Sequence, residues 1–234
     1  MLLPGPLKGM FKSRSGQPGN GTPQSASPGG ARTWPRNGTS VAASAIRPSR
    51  GLEEFFGYIR GQSGLTILDL GGATQKNVSF ITDLGHRLYS EDFLRILHES
   101  FGPDGEDQSN PGRIEYFLKQ ALDYPEAQFD GVLAWDVLEY LSPALLAAVI
   151  ERLQSIVRPK SYMLAFFHAD DKQELVQSYT FRIEGVSALE VSQQGMRRPI
   201  QLFNNRSVEK LFGRFDSVKF FLTRERLREV IVRV

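Results

Sequence analysis

The stretch LTILDLGGATQKN, residues 65–77, constrains the fold more than any other part of this 234-residue chain. Leu65, Ile67, Leu68 and Leu70 flank a single aspartate, Asp69, and the run then breaks at Gly71 and Gly72. A short, nearly continuous apolar run ended by glycine is the pattern of a strand buried on both faces. Such strands belong to parallel sheets covered by helices. Comparable runs recur at residues 129–135 (FDGVLAW) and 161–167 (SYMLAFF), and residues 86–92 (HRLYSED) read as a further strand.

Helical periodicity fills the intervals. Leu52, Phe55, Phe56 and Ile59 fall on one helix face, and Phe93, Ile96 and Leu97 on another. Residues 77–84 predict a helix with Val78, Ile81 and Leu84 inward, closed by Gly85. Residues 138–157 predict a long helix with Pro143 near its start, where proline is tolerated. Residues 114–122 fit a helical face but contain a strand-like piece, and residues 181–191 hold strand-like pieces. Asn204 or Asn205 can cap a helix reaching Phe212. Residues 217–222 and 227–234 predict a terminal hairpin. Strands alternating with helices imply an α/β fold, a doubly wound and mostly parallel sheet with right-handed crossovers, to which the hairpin adds an antiparallel strand.

Charge divides the chain. Residues 1–50 carry seven Lys/Arg and no acid, which leaves 21 of the 28 basic and all 26 acidic side chains in residues 51–234. Residues 1–50 are also dense in Gly, Pro and Ser, so they are expected to be a disordered basic tail. Residues 51–234 are expected to form the folded domain, and its net negative charge gives no nucleic-acid footprint. The absence of cysteine excludes disulfides, thiolate metal sites and cysteine nucleophiles. His86, His98 and His168 share no metal-ligand spacing. No apolar run reaches the ~20 residues of a membrane span, and the N-terminus lacks a secretory pattern, so a cytoplasmic protein is the expectation.

In sheets of this kind ligands sit beyond the strand C-termini. Asp69, Gly71 and Gly72 follow the first buried strand; Ser90, Glu91 and Asp92 the second; Asp136 and Glu139 the FDGVLAW strand; His168, Asp170 and Asp171 the SYMLAFF strand. Acids stand at every mouth position. Glu91 or Asp92, 22 and 23 residues after Asp69, is placed where an acid can accept both hydroxyls of a ribose. The same acids can instead cap the turns and helices that follow them.

These residues resemble the class I S-adenosylmethionine-dependent methyltransferases. The carriers are ILDLGG (67–72), the acids of YSED, FDGVLAWDVLEYL (129–141), the helix running into VRPKSYMLAFF, and the hairpin, which nicotinamide-binding Rossmann domains normally lack. The resemblance implies a seven-stranded sheet, S-adenosylmethionine as cofactor and methyl transfer to an acceptor that the sequence does not identify. It implies that Asp69 orients the cofactor's amino-acid end and that Gly71, with Gly72 and Ala73 in the same turn, lets the backbone approach it. Glu91 or Asp92 would hold the ribose, and Asp136 with the backbone around Trp135 would face the methionine part. His168 or Glu139 would be the base if the acceptor needs one.

The chain departs from that family in places. The usual acid-x-Gly-x-Gly-x-Gly turn here reads Asp69-Leu70-Gly71-Gly72-Ala73-Thr74-Gln75, Lys160-Ser161 replaces a Gly-Gly pair, and residues 114–123 supply no clear adenine-contacting acid. The turn therefore reads as a modified cofactor turn. The alternative is a non-catalytic binding or scaffold domain on the same fold. Gly-x-Ser-x-Gly and Gly-Lys-Ser/Thr motifs are absent. Arg206, beside the helix start near Asn204, is a candidate anion contact that ordinary helix capping explains equally well.

Overall fold

The computed structural model describes residues 44–102, 105–223 and 227–234. The elements run β1 (Ser44–Pro48), α1 (Arg50–Ile59), β2 (Thr66–Asp69), α2 (Gln75–Asp83), β3 (Arg87–Ser90), α3 (Phe93–Phe101), α4 (Pro111–Ala121) and β4 (Phe129–Trp135). A short 3-10 helix (Val137–Tyr140), α5 (Pro143–Ile156), β5 (Val157–His168), β6 (Val176–Gly185), β7 (Ala188–Arg197), α6 (Asn205–Leu211), β8 (Ser217–Leu222) and β9 (Leu227–Arg233) complete it.

The main sheet has the order β3-β2-β4-β5-β9-β8. Strands β2, β3, β4 and β5 pair in parallel, and β9 enters antiparallel between β5 and β8. The expected α/β architecture and terminal hairpin are both present. Among the described residues the sheet has six strands rather than seven. The reason lies between α3 and β4. Asn110 accepts from the amides of Gly112 and Arg113 and Pro111 opens α4, so the ambiguous segment becomes a helix with Phe117 and Ala121 buried. Consequently β3 is an edge strand, and its residues alternate between exposed and half-buried.

Two corrections concern helices. Residues 138–157 are not one helix: Ser142 caps a new start at Pro143, after the 3-10 turn. In α2 the inward positions are Asn77 and Ile81, whereas Leu84 is exposed. The strand-like pieces around 181–191 are longer than expected. They form an antiparallel hairpin, β6–β7, that with β1 makes a separate three-stranded sheet in the order β1-β7-β6.

Ordered structure thus begins before Gly51. Strand β1 pairs with β7, from Ser44 opposite Ser192 to Pro48 opposite Ala188, and Ser49 caps α1. Its side chains are mostly exposed, so backbone pairing rather than apolar burial holds it, and composition did not reveal it. The rest of the expected tail, residues 1–43, lies outside the described residues.

The main sheet separates two apolar clusters. One gathers α3, α4 and α5 around residues such as Phe93, Phe117, Leu145 and Val149. The other joins α1 to the small sheet through Leu52, Phe55, Trp135, Phe166, Phe181 and Ile183. The β6–β7 hairpin therefore packs over the C-terminal ends of β2 and β4. Among the described residues no helix is long and apolar enough to cross a membrane.

Candidate functional site

The parallel pairing of β2 with β3 and β4 brings Asp69, Ser90 and Leu133 level with one another at the sheet's C-terminal edge. Beyond that edge Gly71, Asp92, Trp135 and Asp136 line one hollow, together with Tyr179 and Phe181 of β6. Its volume is about 50 Å³. Asp69 lies behind it, fully buried.

The carboxylate of Asp69 accepts three hydrogen bonds from within the chain. Oδ1 accepts from the Gly71 amide at 2.8 Å and from Trp135 Nε1 at 2.6 Å, and Oδ2 accepts from Asn77 Nδ2 at 3.0 Å. Burial pushes its pKa up, opposed by the donors from Trp135, Gly71 and Asn77. Trp135 is 1% exposed and takes a left-handed backbone conformation, φ +50°. Its indole stacks on Phe181 with centroids 5.1 Å apart and planes 7° apart, and meets Phe166 edge-on. Gly71 fits closely against that indole: a Cβ there would lie 2.6 Å from Trp135 Cδ1 and 2.8 Å from Nε1.

The other expected site residues divide. Gly72 has φ +83°, which glycine tolerates, and donates its amide to the Glu91 carbonyl at 3.0 Å. Ala73 is exposed. Asp92 caps α3 by accepting from the Arg95 amide at 3.2 Å, and its side chain is 52% exposed. Glu91 turns away from the hollow. It accepts from the Tyr124 hydroxyl and lines a separate depression with Arg95, Glu99 and Tyr116.

Asp136 sits in a buried polar group with Glu139 and His168. His168 Nδ1 is 2.5 Å from Glu139 Oε2, its backbone amide donates to Oε1 at 3.0 Å, and Nε2 is 3.0 Å from the Gln177 carbonyl. Burial pushes the imidazole's pKa down, but the Glu139 hydrogen bond and charge outweigh it, so the net shift is upward. Burial raises Glu139 as well, against the pull of His168. Burial likewise pushes Asp136 up to about 7, with His168 pulling it down and Glu139 adding to the rise. Both ring nitrogens of His168 are thus engaged, and the imidazole joins the end of β5 to β6. Among the described residues no His, Asp and Glu group could hold a metal ion.

Asn77 and Phe181 were missed in the sequence. Asn77 lies four residues before the buried Ile81, so a polar side chain on an inward helical position was the available signal. Phe181 reaches the site through long-range packing of the hairpin, which no local pattern encodes.

Residues 43–217 match the family described as "Methyltransferase domain". The chain belongs to this methyltransferase family. No curated protein matches it. Similar solved structures include the 1,6-didemethyltoxoflavin-N1-methyltransferase of Burkholderia thailandensis with 1,6-didemethyltoxoflavin and S-adenosylhomocysteine bound (14% identity, covering 78% of this chain and 76% of that one, TM-score 0.43). Others are a SAM-dependent methyltransferase from Archaeoglobus fulgidus (16%, 78% and 91%, TM-score 0.46) and one from Methanosarcina mazei (13%, 74% and 93%, TM-score 0.44).

The implied cofactor, S-adenosylmethionine, is larger than the hollow. Ligand pockets of that class hold ~300 Å³ or more, and this one holds about 50 Å³. The space against Gly71 contains the Trp135 indole, and the three donors on Asp69 all belong to the chain itself. As folded, the Trp135 indole occupies the space against Gly71, and the hollow is smaller than the cofactor.

Proposed function

We propose that this methyltransferase domain catalyses S-adenosylmethionine-dependent methyl transfer to an unidentified acceptor, from a cleft that is closed in the conformation described above. The observation that carries the reading is the convergence of Asp69, Gly71, Asp92, Trp135 and Asp136 at one sheet edge, within the stretch that matches the family. In this reading Asp69 serves the cofactor's amino-acid end and Gly71, Gly72 and Ala73 form the turn beside it. Asp92, which faces the hollow, is the better ribose contact, while Glu91 is committed to Tyr124. Acceptor selectivity falls to the covering hairpin.

The test is calorimetric titration of the full chain with S-adenosylmethionine and S-adenosylhomocysteine. Binding at micromolar to millimolar dissociation constants, accompanied by a ligand-dependent rise in melting temperature, is expected. A folded protein that binds neither overturns the reading.

A second reading is favoured by the internal donors on Asp69. A domain whose key carboxylate already has three internal donors is built as a closed scaffold, and it would bind neither compound under any change to the hairpin.

A further inference from the structure

Trp135 is the least relaxed residue of the site. A bulky aromatic in the left-handed region is an outlier that persists only when its surroundings over-determine it. The surroundings here are the 2.6 Å bond to Asp69, the stack on Phe181 and the edge contact with Phe166. Two of those three partners sit on the main sheet. Phe181 sits on the hairpin.

The hairpin is itself fastened to the same carboxylate. Asn77 donates to Asp69 through Nδ2 and accepts the Ile183 amide on Oδ1 at 2.8 Å, with Nδ2 also 3.4 Å from the Phe181 carbonyl. Farther out, Lys76 of α2 pairs with Glu184 and Glu190 of the hairpin, and these pairs are substantially exposed. Surface pairs of this kind contribute little. Among the described contacts, β6 is fastened to the main sheet from within by the Asp69–Asn77–Ile183 chain, by Phe181 packing on Trp135 and Phe166, and by His168 at the Gln177 carbonyl; of these, the Asn77 chain and the Trp135–Phe181 stack run through the Asp69 site.

We infer that Trp135 is a plug in the cofactor cleft, held by Asp69 and by the β6–β7 hairpin, and that S-adenosylmethionine enters only when the indole swings out and releases both. The inference rests on the methyltransferase reading above and names the residue that regulates its site. It explains why the acid and glycine of the turn are present although the space between them is filled. Gly71 admits the indole in the closed state, and Asp69 exchanges the indole N–H for another donor in the open one. The apparent affinity for cofactor is then the intrinsic affinity reduced by the fraction of open molecules.

The experiment uses the full chain and S-adenosylhomocysteine. The protein has two tryptophans, Trp34 and Trp135, so Trp34→Phe leaves Trp135 as the sole reporter. Expected are a red shift of Trp135 emission on titration and binding at least ten-fold tighter in Trp135→Ala. Phe181→Ala, which keeps the indole and removes its stack, is expected to tighten binding in the same direction. It also serves as the test should Trp135→Ala fail to fold. Wild-type affinity equal to that of the variants, with emission unchanged, overturns the plug and leaves the methyltransferase reading standing. Absence of binding in wild type and variants alike, all shown to be folded by circular dichroism, overturns both.

Discussion

Gly71 and Trp135 are shaped for each other: the indole Cδ1 lies 2.6 Å from where a Cβ on residue 71 would stand. No real side chain tolerates that distance, and the neighbour is a rigid ring hydrogen-bonded to Asp69 and stacked on Phe181. The glycine therefore makes room for a residue of the chain itself.

Gly71→Ala should accordingly destabilise the protein in the absence of any ligand. Overpacking of a well-filled site costs about 1–3 kcal/mol, which for a domain of this size corresponds to a fall of roughly 2–12 °C in melting temperature. Pairing it with Trp135→Ala should restore most of the loss relative to Trp135→Ala alone, because the collision disappears. Thermal denaturation of the four proteins measures both. An unaltered melting temperature for Gly71→Ala shows that the indole moves aside without cost.

The scaffold was legible because its signals are local. Residues 65–70 and 129–135 are apolar runs that only a covered sheet accommodates, and Leu52, Phe55, Phe56 and Ile59 have unambiguous helical spacing; all four are buried as expected. The missing strand was legible only through one local signal, the Asn110–Pro111 helix start, which the strand-like apolar piece at residues 114–118 masks. The site was legible only in part. Acids at strand ends follow from topology, but that Asp69 is closed off by Trp135, Asn77 and Gly71 depends on contacts 66, 8 and 2 residues apart in sequence. The longest of these joins two strand ends, and its partner Phe181 comes from a hairpin in another sheet.

A second prediction concerns the polar group at the end of β4 and β5. Asp136 is buried and its Oδ2 has no hydrogen-bond partner among the described residues. Its folded pKa, pushed up to about 7 from 3.8, means that the folded state holds a proton the unfolded chain gives up. Stability should fall as pH rises from about 4 to about 7 and then level off. His168 acts in the same sense: with its folded pKa raised, its contribution is present below the unfolded value and is lost as pH rises through the folded one. Asp136→Asn removes the first of these losses. It should be more stable than wild type at pH 8 and nearly equal to it at pH 4. Melting temperatures of the two proteins across that range decide it, and a wild type that gains stability with rising pH contradicts the assignment.

The last prediction separates the basic N-terminal segment from the folded body. The described residues begin with β1 at Ser44. This strand pairs with β7 over five residues, and the hydroxyl of Ser49 then accepts from the Leu52 amide to start α1. We propose that residues up to Ser40 are a solvated basic tail, dispensable for the fold, so a chain beginning at Val41 should melt with the full-length protein. A chain beginning at Gly51 loses the Ser49 cap, worth about 1 kcal/mol, and exposes the edge of β7. The hairpin that carries Phe181 then rests on fewer strands, and three or more are normally needed for a sheet to be independently stable. The shorter chain should therefore melt several degrees lower. It should also show the Trp135 emission of a more exposed indole, because β1 supports the same hairpin that stacks on it. Equal melting of the two truncated chains would show that β1 adds nothing to the body, and a lower melting temperature for the chain starting at Val41 would show that the basic segment packs against it.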